Sequence, residues 1–145
     1  MSIVYADPSA LARAYFADEA EHDELSRLLA APDLALVTSE LSRLELASAV
    51  RAAERARRLS GADAVLRRIE LDLGRRLVTL ALSAGSVLPR ARELILAHRL
   101  RTLDALHLAT ALVLAPGLAD DGVVVLLTRD DDQAAAAREL GLTVI

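Results

Sequence analysis

The sequence predicts one α/β domain over residues 1–145, a parallel sheet flanked by helices. Two Val- and Ile-rich runs, Ile3–Ala6 and 123–127, have the length and side-chain type of buried strands. Helical periodicity fills most of the chain between strand candidates. No repeat, low-complexity linker or second domain shows in the 145 residues, which are enough to bury one core without staples.

In chain order, strand Ile3–Ala6 is followed by helical patterns over 9–17 and 19–31, then by a weaker strand over 34–37. A longer helix is expected over 40–58, with Leu41, Leu44, Ala47 and Val50 at helical spacing. The pattern over 60–76 carries Leu66, Ile69 and Leu73 and breaks near Gly74. Residues 77–82 read as strand or helix. Helices are expected over 86–98, 103–114 and 131–140, and a weak strand over 142–145. Pro116-Gly117 and Asp120-Asp121-Gly122 mark the return to the strand at 123–127.

Composition excludes several kinds of chemistry. With no Cys, there is no disulfide framework and no thiolate metal site. The opening residues, Ser2 to Asp7, lack the basic start and long apolar stretch of a signal peptide. The apolar run 103–114 is interrupted by Asp104, His107 and Thr110, too polar for a membrane span. A soluble, cytoplasmic protein is expected. Every basic side chain is Arg, so lysine-dependent sites are ruled out. Phosphoacceptor receiver domains and P-loop nucleotide hydrolases both need that lysine. A haloacid-dehalogenase-like phosphatase needs Asp-x-Asp after its first strand, and here the second position is Ser9.

The formal charge of −4 conceals an asymmetry. Residues 1–40 hold 2 Arg and 8 acids, net −6; residues 41–101 hold 13 Arg and 6 acids, net +7; residues 102–145 hold 2 Arg and 7 acids, net −5. A basic middle lies between acidic ends. Arg51, Arg55 and Arg58, with Arg67, Arg68, Arg75 and Arg76, read either as a solvated face or as a surface tracking nucleic-acid phosphates. Leu59, Leu66, Ile69 and Leu73 read as a possible groove for a partner helix.

Four acids stand out. Asp7 closes the first strand and Asp130 closely follows the strand at 123–127, so both sit at carboxyl ends, where open α/β sheets place their sites. Each also fits as a helix N-cap, with Pro8 well suited to a first turn. Glu45, inside a helix, has Leu41, Ala49 and Ala52 as its neighbours at helical spacing. Its plain alternative is a solvated edge residue. Asp104 shares a helical face with His107, Leu108 and Ala111; its alternative is a first-turn acid behind a Thr102 cap. His107 reads as a structural hydrogen bonder rather than a base. Four converging carboxylates would repel one another, and a divalent cation removes that cost. Oxygen donors without Cys select a hard ion, Mg²⁺ or Mn²⁺, which suits phosphodiester hydrolysis.

These stretches resemble a known family. Val4-Tyr5-Ala6-Asp7-Pro8-Ser9-Ala10-Leu11 is similar to the opening motif of PIN domains, and Ser39-Glu40-Leu41-Ser42-Arg43-Leu44-Glu45-Leu46 resembles the second. Leu103-Asp104-Ala105-Leu106-His107-Leu108-Ala109-Thr110-Ala111 looks typical of VapC toxins, and Leu127-Thr128-Arg129-Asp130 resembles the closing motif. The resemblance spans nearly the whole chain. It implies a three-layer α/β/α fold with about five parallel strands. It also implies a Mg²⁺ centre at Asp7, Glu45, Asp104 and Asp130, supported by Ser9 and Thr128. The implied activity is endonucleolytic cleavage of RNA by an activated water, leaving a 3′-hydroxyl and a 5′-phosphate. Implied partners are a VapB-type antitoxin, which places a basic residue among the carboxylates, and a second copy of the chain in a homodimer. The alternative is a PIN-like module that binds RNA or protein without cutting. The chain departs from the pattern at Arg129, where an aromatic is common, and at Asp131 and Asp132, read as extra ligands or as capping residues.

Overall fold

The computed structural model describes residues 2–145. Along the chain run β1 (Ile3–Ala6), α1 (Pro8–Tyr15), α2 (His22–Ala30), β2 (Ala35–Ser39), α3 (Leu41–Arg55), α4 (Ala62–Arg75) and β3 (Leu77–Leu80). There follow α5 (Val87–His98), α6 (Thr102–Val113), a 3₁₀ turn (Ala115–Leu118), β4 (Val124–Leu127), α7 (Asp131–Glu139) and β5 (Thr143–Val144). The five strands form one sheet in the order β3-β2-β1-β4-β5, every neighbouring pair parallel.

Alternation along β1 builds the three layers. Val4 and Ala6 face a core made with α1 to α4, while Ile3 and Tyr5 face a second core made chiefly with α5, α6 and α7. All four β1 residues are buried, as expected for a central strand covered on both sides. The order of the strands reverses at β1, which has β2 on one side and β4 on the other. Crevices at such switch points open beyond the carboxyl ends of the strands. Asp7 follows β1, and its backbone N–H bonds to Leu127 O at the end of β4 (2.9 Å), so Asp7 and the segment leading to Asp130 lie side by side.

The structure corrects several details of the sequence reading. The ambiguous segment 77–82 is a strand, Leu77–Leu80. On α3 the buried positions are Ser42, Leu46, Val50 and Ala53, whereas Leu44 is 68% exposed. Ser42 turns inward because its hydroxyl bonds Thr38 Oγ1 (2.6 Å), and Thr38 in turn donates to Ala6 O (2.7 Å). That pairing beneath β1 rotates the apolar stripe away from Leu44. The helix ends at Arg55 rather than 58, because Arg57 takes positive φ (57°) and Arg58 N–H returns to Ala53 O. The partner groove imagined along α4 is not open: Ile69 and Leu73 are buried, and Leu59 and Leu66 pack against the same core. Thr102 is the first helical residue of α6 and not its cap; Arg101 precedes it in extended conformation. Among the described residues no helix is long and apolar enough to cross a membrane.

Candidate active site

Asp7 is both a cap and a site residue. Its Oδ2 accepts from Ser9 N–H (3.0 Å) and Ser9 Oγ (2.6 Å), starting α1 with Pro8 in its first turn. The capping does not exhaust the carboxylate, because Oδ1 accepts from Gln133 Nε2 (3.0 Å). Asp7 is 3% exposed, unusual for a residue whose only task is to cap a surface helix.

A hydroxyl relay joins Asp7 to β4. Asp130 N–H donates to Thr128 Oγ1 (3.1 Å), Thr128 Oγ1 meets Ser9 Oγ (3.2 Å), and Ser9 Oγ donates to Asp7. Ser9 Oγ also receives Arg129 N–H (2.9 Å). Ser9 and Thr128 therefore sit between the two acids they were expected to support. Asp130 caps α7, its Oδ1 accepting Gln133 N–H (2.8 Å). Asp131 and Asp132 occupy the exposed first turn of that helix, where negative charge suits the dipole.

Asp104 projects from the first turn of α6. The Arg101 guanidinium spans it and Asp130, with Nε 3.0 Å from Asp104 Oδ2 and Nη2 3.1 Å from Asp130 Oδ2. Burial raises the Asp104 carboxyl above its ordinary range; Arg101 opposes the shift, while the charges of Asp130 and Asp7 add to it. Asp7, Asp104 and Asp130 are thus electrostatically one cluster.

Glu45 joins this end of the sheet by another route. Its carboxylate bonds Nε2 of the buried His107, whose Nδ1 meets Tyr5 OH (2.8 Å). The Tyr5 hydroxyl is held well above its ordinary pKa, first by burial, then by the charge of Asp7, with Glu45 adding a smaller share. Tyr5 is therefore neutral, and donation from its hydroxyl to Nδ1 leaves the Nε2 proton for Glu45. His107 is the structural hydrogen bonder expected, with an acid of the site as its partner. Glu40, the residue before α3, instead accepts Leu82 N–H (2.8 Å) beyond β3.

Whether these residues suit a divalent ion is a question of donors. All the candidates are carboxylates, as a hard ion requires. A cation already bridges two of them in the form of Arg101. Gln133 Oε1, on the carboxamide that touches Asp7, is the single buried side-chain N or O without a hydrogen-bond partner among the described residues. The donor chemistry fits. The carboxylates are not closed into a cage: among the described residues no three His, Cys, Asp or Glu side chains stand ready to hold an ion.

The basic middle is mostly paired. Arg51 binds Glu54 and Asp63, and Arg58 binds Asp18 and Glu19. Arg68 and Arg76 both face Asp72. Arg55 is exposed. Arg129, at the position where an aromatic is common, reaches Glu21 and the Ile145 carbonyl. Sequence reasoning passed over Arg101 and Gln133. The only available signals were position: Arg101 lies three residues before Asp104, and Gln133 lies three after the cap Asp130.

The fold and this cluster define an α/β domain with an acidic centre at the switch point of a parallel sheet. The PIN domain family profile matches residues 4–139, and the chain belongs to the PIN-domain family. It is similar to Ribonuclease VapC46 of Mycobacterium tuberculosis, 34% identical over 145 residues, covering 100% of this chain and 98% of that protein. Among solved structures it resembles Mycobacterium tuberculosis VapC20, described as a sarcin-ricin loop cleaving toxin, with TM-score 0.66, 20% identity and coverage of 92% and 94% of the two chains. It also resembles VapBC2 of Rickettsia felis, solved with a DNA fragment from its promoter, with TM-score 0.64, 14% identity and coverage of 100% and 98%. At those identities the structural likeness establishes the fold.

Proposed function

We propose that this protein is a Mg²⁺-dependent endoribonuclease, with Mn²⁺ as a substitute, that acts as the toxin of a VapBC-type pair and is neutralised by a VapB-type antitoxin. The observation that carries the reading is the grouping of Asp7, Asp104 and Asp130 at one end of the sheet, with Arg101 as the cation between two of them. The full-length relative named a ribonuclease supports the activity, and the neighbour solved as a VapBC pair supports the antitoxin.

Asp7, Asp104, Asp130 and Glu45 would hold the ion. When bound, it would supply positive charge for the phosphodiester and a nucleophilic water at neutral pH. The protein's share is alignment. Ser9 and Thr128 hold Asp7 and the Asp130 backbone in fixed register. His107 holds Glu45 and keeps its carboxylate a hydrogen-bond acceptor. Arg101, once displaced, would offer its guanidinium to the phosphate, a group it matches in geometry. Arg51, Arg55 and Arg58 would follow the RNA backbone further out. A homodimer belongs to the same reading.

The test is incubation of antitoxin-free protein with total cellular RNA, with Mg²⁺ or with chelator, followed by mapping of new 5′ ends. Discrete ends that require the ion and disappear in a folded Asp104→Asn variant sustain the reading. Intact RNA from folded, ion-loaded protein overturns it in favour of a non-cutting PIN-like module.

A further inference from the structure

Gln133 carries no role in the reading above, yet it touches every aspartate of the centre. Its backbone N–H caps onto Asp130 Oδ1 (2.8 Å). Its side-chain Nε2 donates to Asp7 Oδ1 and to the backbone carbonyl of Asp104, each at 3.0 Å. The residue is fully buried. In an Asp-x-x-Gln N-terminus the glutamine side chain ordinarily reaches back to the cap backbone. Here it turns inward and binds β1 and α6 together.

Burying a carboxamide is costly unless its polar atoms are satisfied. Both N–H groups of Gln133 are satisfied. Oε1 is not, although rotating the amide would only set that oxygen against two other acceptors. An apolar side chain of the same length would fill the space but would leave Asp7 Oδ1 and the Asp104 carbonyl without their donor. The arrangement therefore serves something other than packing.

We propose that Gln133 is a positioning residue of the acidic centre: its Nε2 sets the orientation of the Asp7 carboxylate, and its Oε1 accepts from a water that accompanies the bound cation. The inference rests on the reading of this centre as a divalent-cation site. Partners of metal-ligating side chains commonly change affinity when altered, and glutamine to methionine keeps the volume while removing both functions.

The experiment measures Mn²⁺ binding by electron paramagnetic resonance, with thermal unfolding of the ion-free protein in parallel, for wild type, Gln133→Met and Gln133→Leu. The expected result is an affinity of the folded protein weaker by about tenfold or more, alongside an ion-free unfolding temperature lowered by the loss of the donor to Asp7 and Asp104. That loss of affinity is not produced by a packing role, which would lower stability and leave the affinity of the folded protein unchanged. Wild-type affinity in either folded variant overturns the proposal and leaves the nuclease reading intact. Absence of Mn²⁺ binding by wild type overturns both. Variants that unfold more easily while binding Mn²⁺ normally assign Gln133 to the fold alone and overturn the proposal.

Discussion

His107 on α6 presents Nε2 to the carboxylate of Glu45 on α3, a hydrogen bond between residues 62 positions apart. Tyr5 of the central strand completes the chain from the other ring nitrogen. Glu45 is thereby attached to the same helix that carries Asp104, although α3 and α6 belong to opposite faces of the sheet. Replacing His107 by Leu removes the hydrogen bonds to the buried Tyr5 hydroxyl and to Glu45, an expected loss of about 1–3 kcal/mol. Adding Tyr5→Phe should recover part of that loss. A double-mutant cycle by urea denaturation checks it, and strict additivity of the two changes would contradict the coupling.

Arg101 occupies ground that a divalent cation would claim. Its side chain is 80% exposed, so its removal should leave the fold intact. Arg101→Met is expected to bind Mn²⁺ about threefold to tenfold more tightly than wild type, the scale of screened surface ion pairs. Titration calorimetry reads this directly. Weaker binding would mean that Arg101 instead prearranges Asp104 and Asp130 for the ion.

The alkaline limit of stability should reflect the tyrosines. The chain has two, Tyr5 and Tyr15, and no tryptophan. Both hydroxyls are raised above their ordinary pKa, chiefly by burial; the charge of Asp7 adds at Tyr5 and that of Asp72 at Tyr15. A raised folded-state pKa means that the contribution is complete below the unfolded value, about 10, and is lost as pH rises above it. Near-ultraviolet absorbance should therefore show little tyrosinate at the pH where free tyrosine is half ionised, and ionisation should accompany unfolding. Tyr15→Phe should soften the alkaline loss. Ionisation at the free-tyrosine pH in folded protein would contradict the burial.

RNA affinity should depend unequally on the arginines of the basic middle. Arg51 and Arg58 already share their charge with four acids, whereas Arg55 on the same stretch is exposed and has no such pairing described. Fluorescence anisotropy with uncut RNA and the Asp104→Asn protein should give an affinity that falls with salt. Arg55→Ala should reduce the logarithmic salt slope by about 0.7 to 0.9, and Arg51→Ala by less. A slope unchanged by both substitutions would remove this surface from the RNA path.

The layered α/β class, the strand at Ile3–Ala6, and the four acids at their places on strands and helices were all legible from local pattern. Hydrophobic period and capping chemistry are properties of neighbouring residues, and a chain displays them without being folded. Asp7 and Asp130 were doubly legible because the end of a strand and the start of a helix are both local events. The structure decided what depends on distant partners. Leu44 faces solvent because Ser42 is drawn under β1 by Thr38 of β2, a preference no helical wheel of α3 contains. Gln133 reaches Asp7 across 126 positions, and Arg101 reaches Asp130 across 29. Polar side chains choose among partners by geometry, and that choice exists only once the sheet has brought β1 and β4 together and α6 and α7 have packed beside their carboxyl ends.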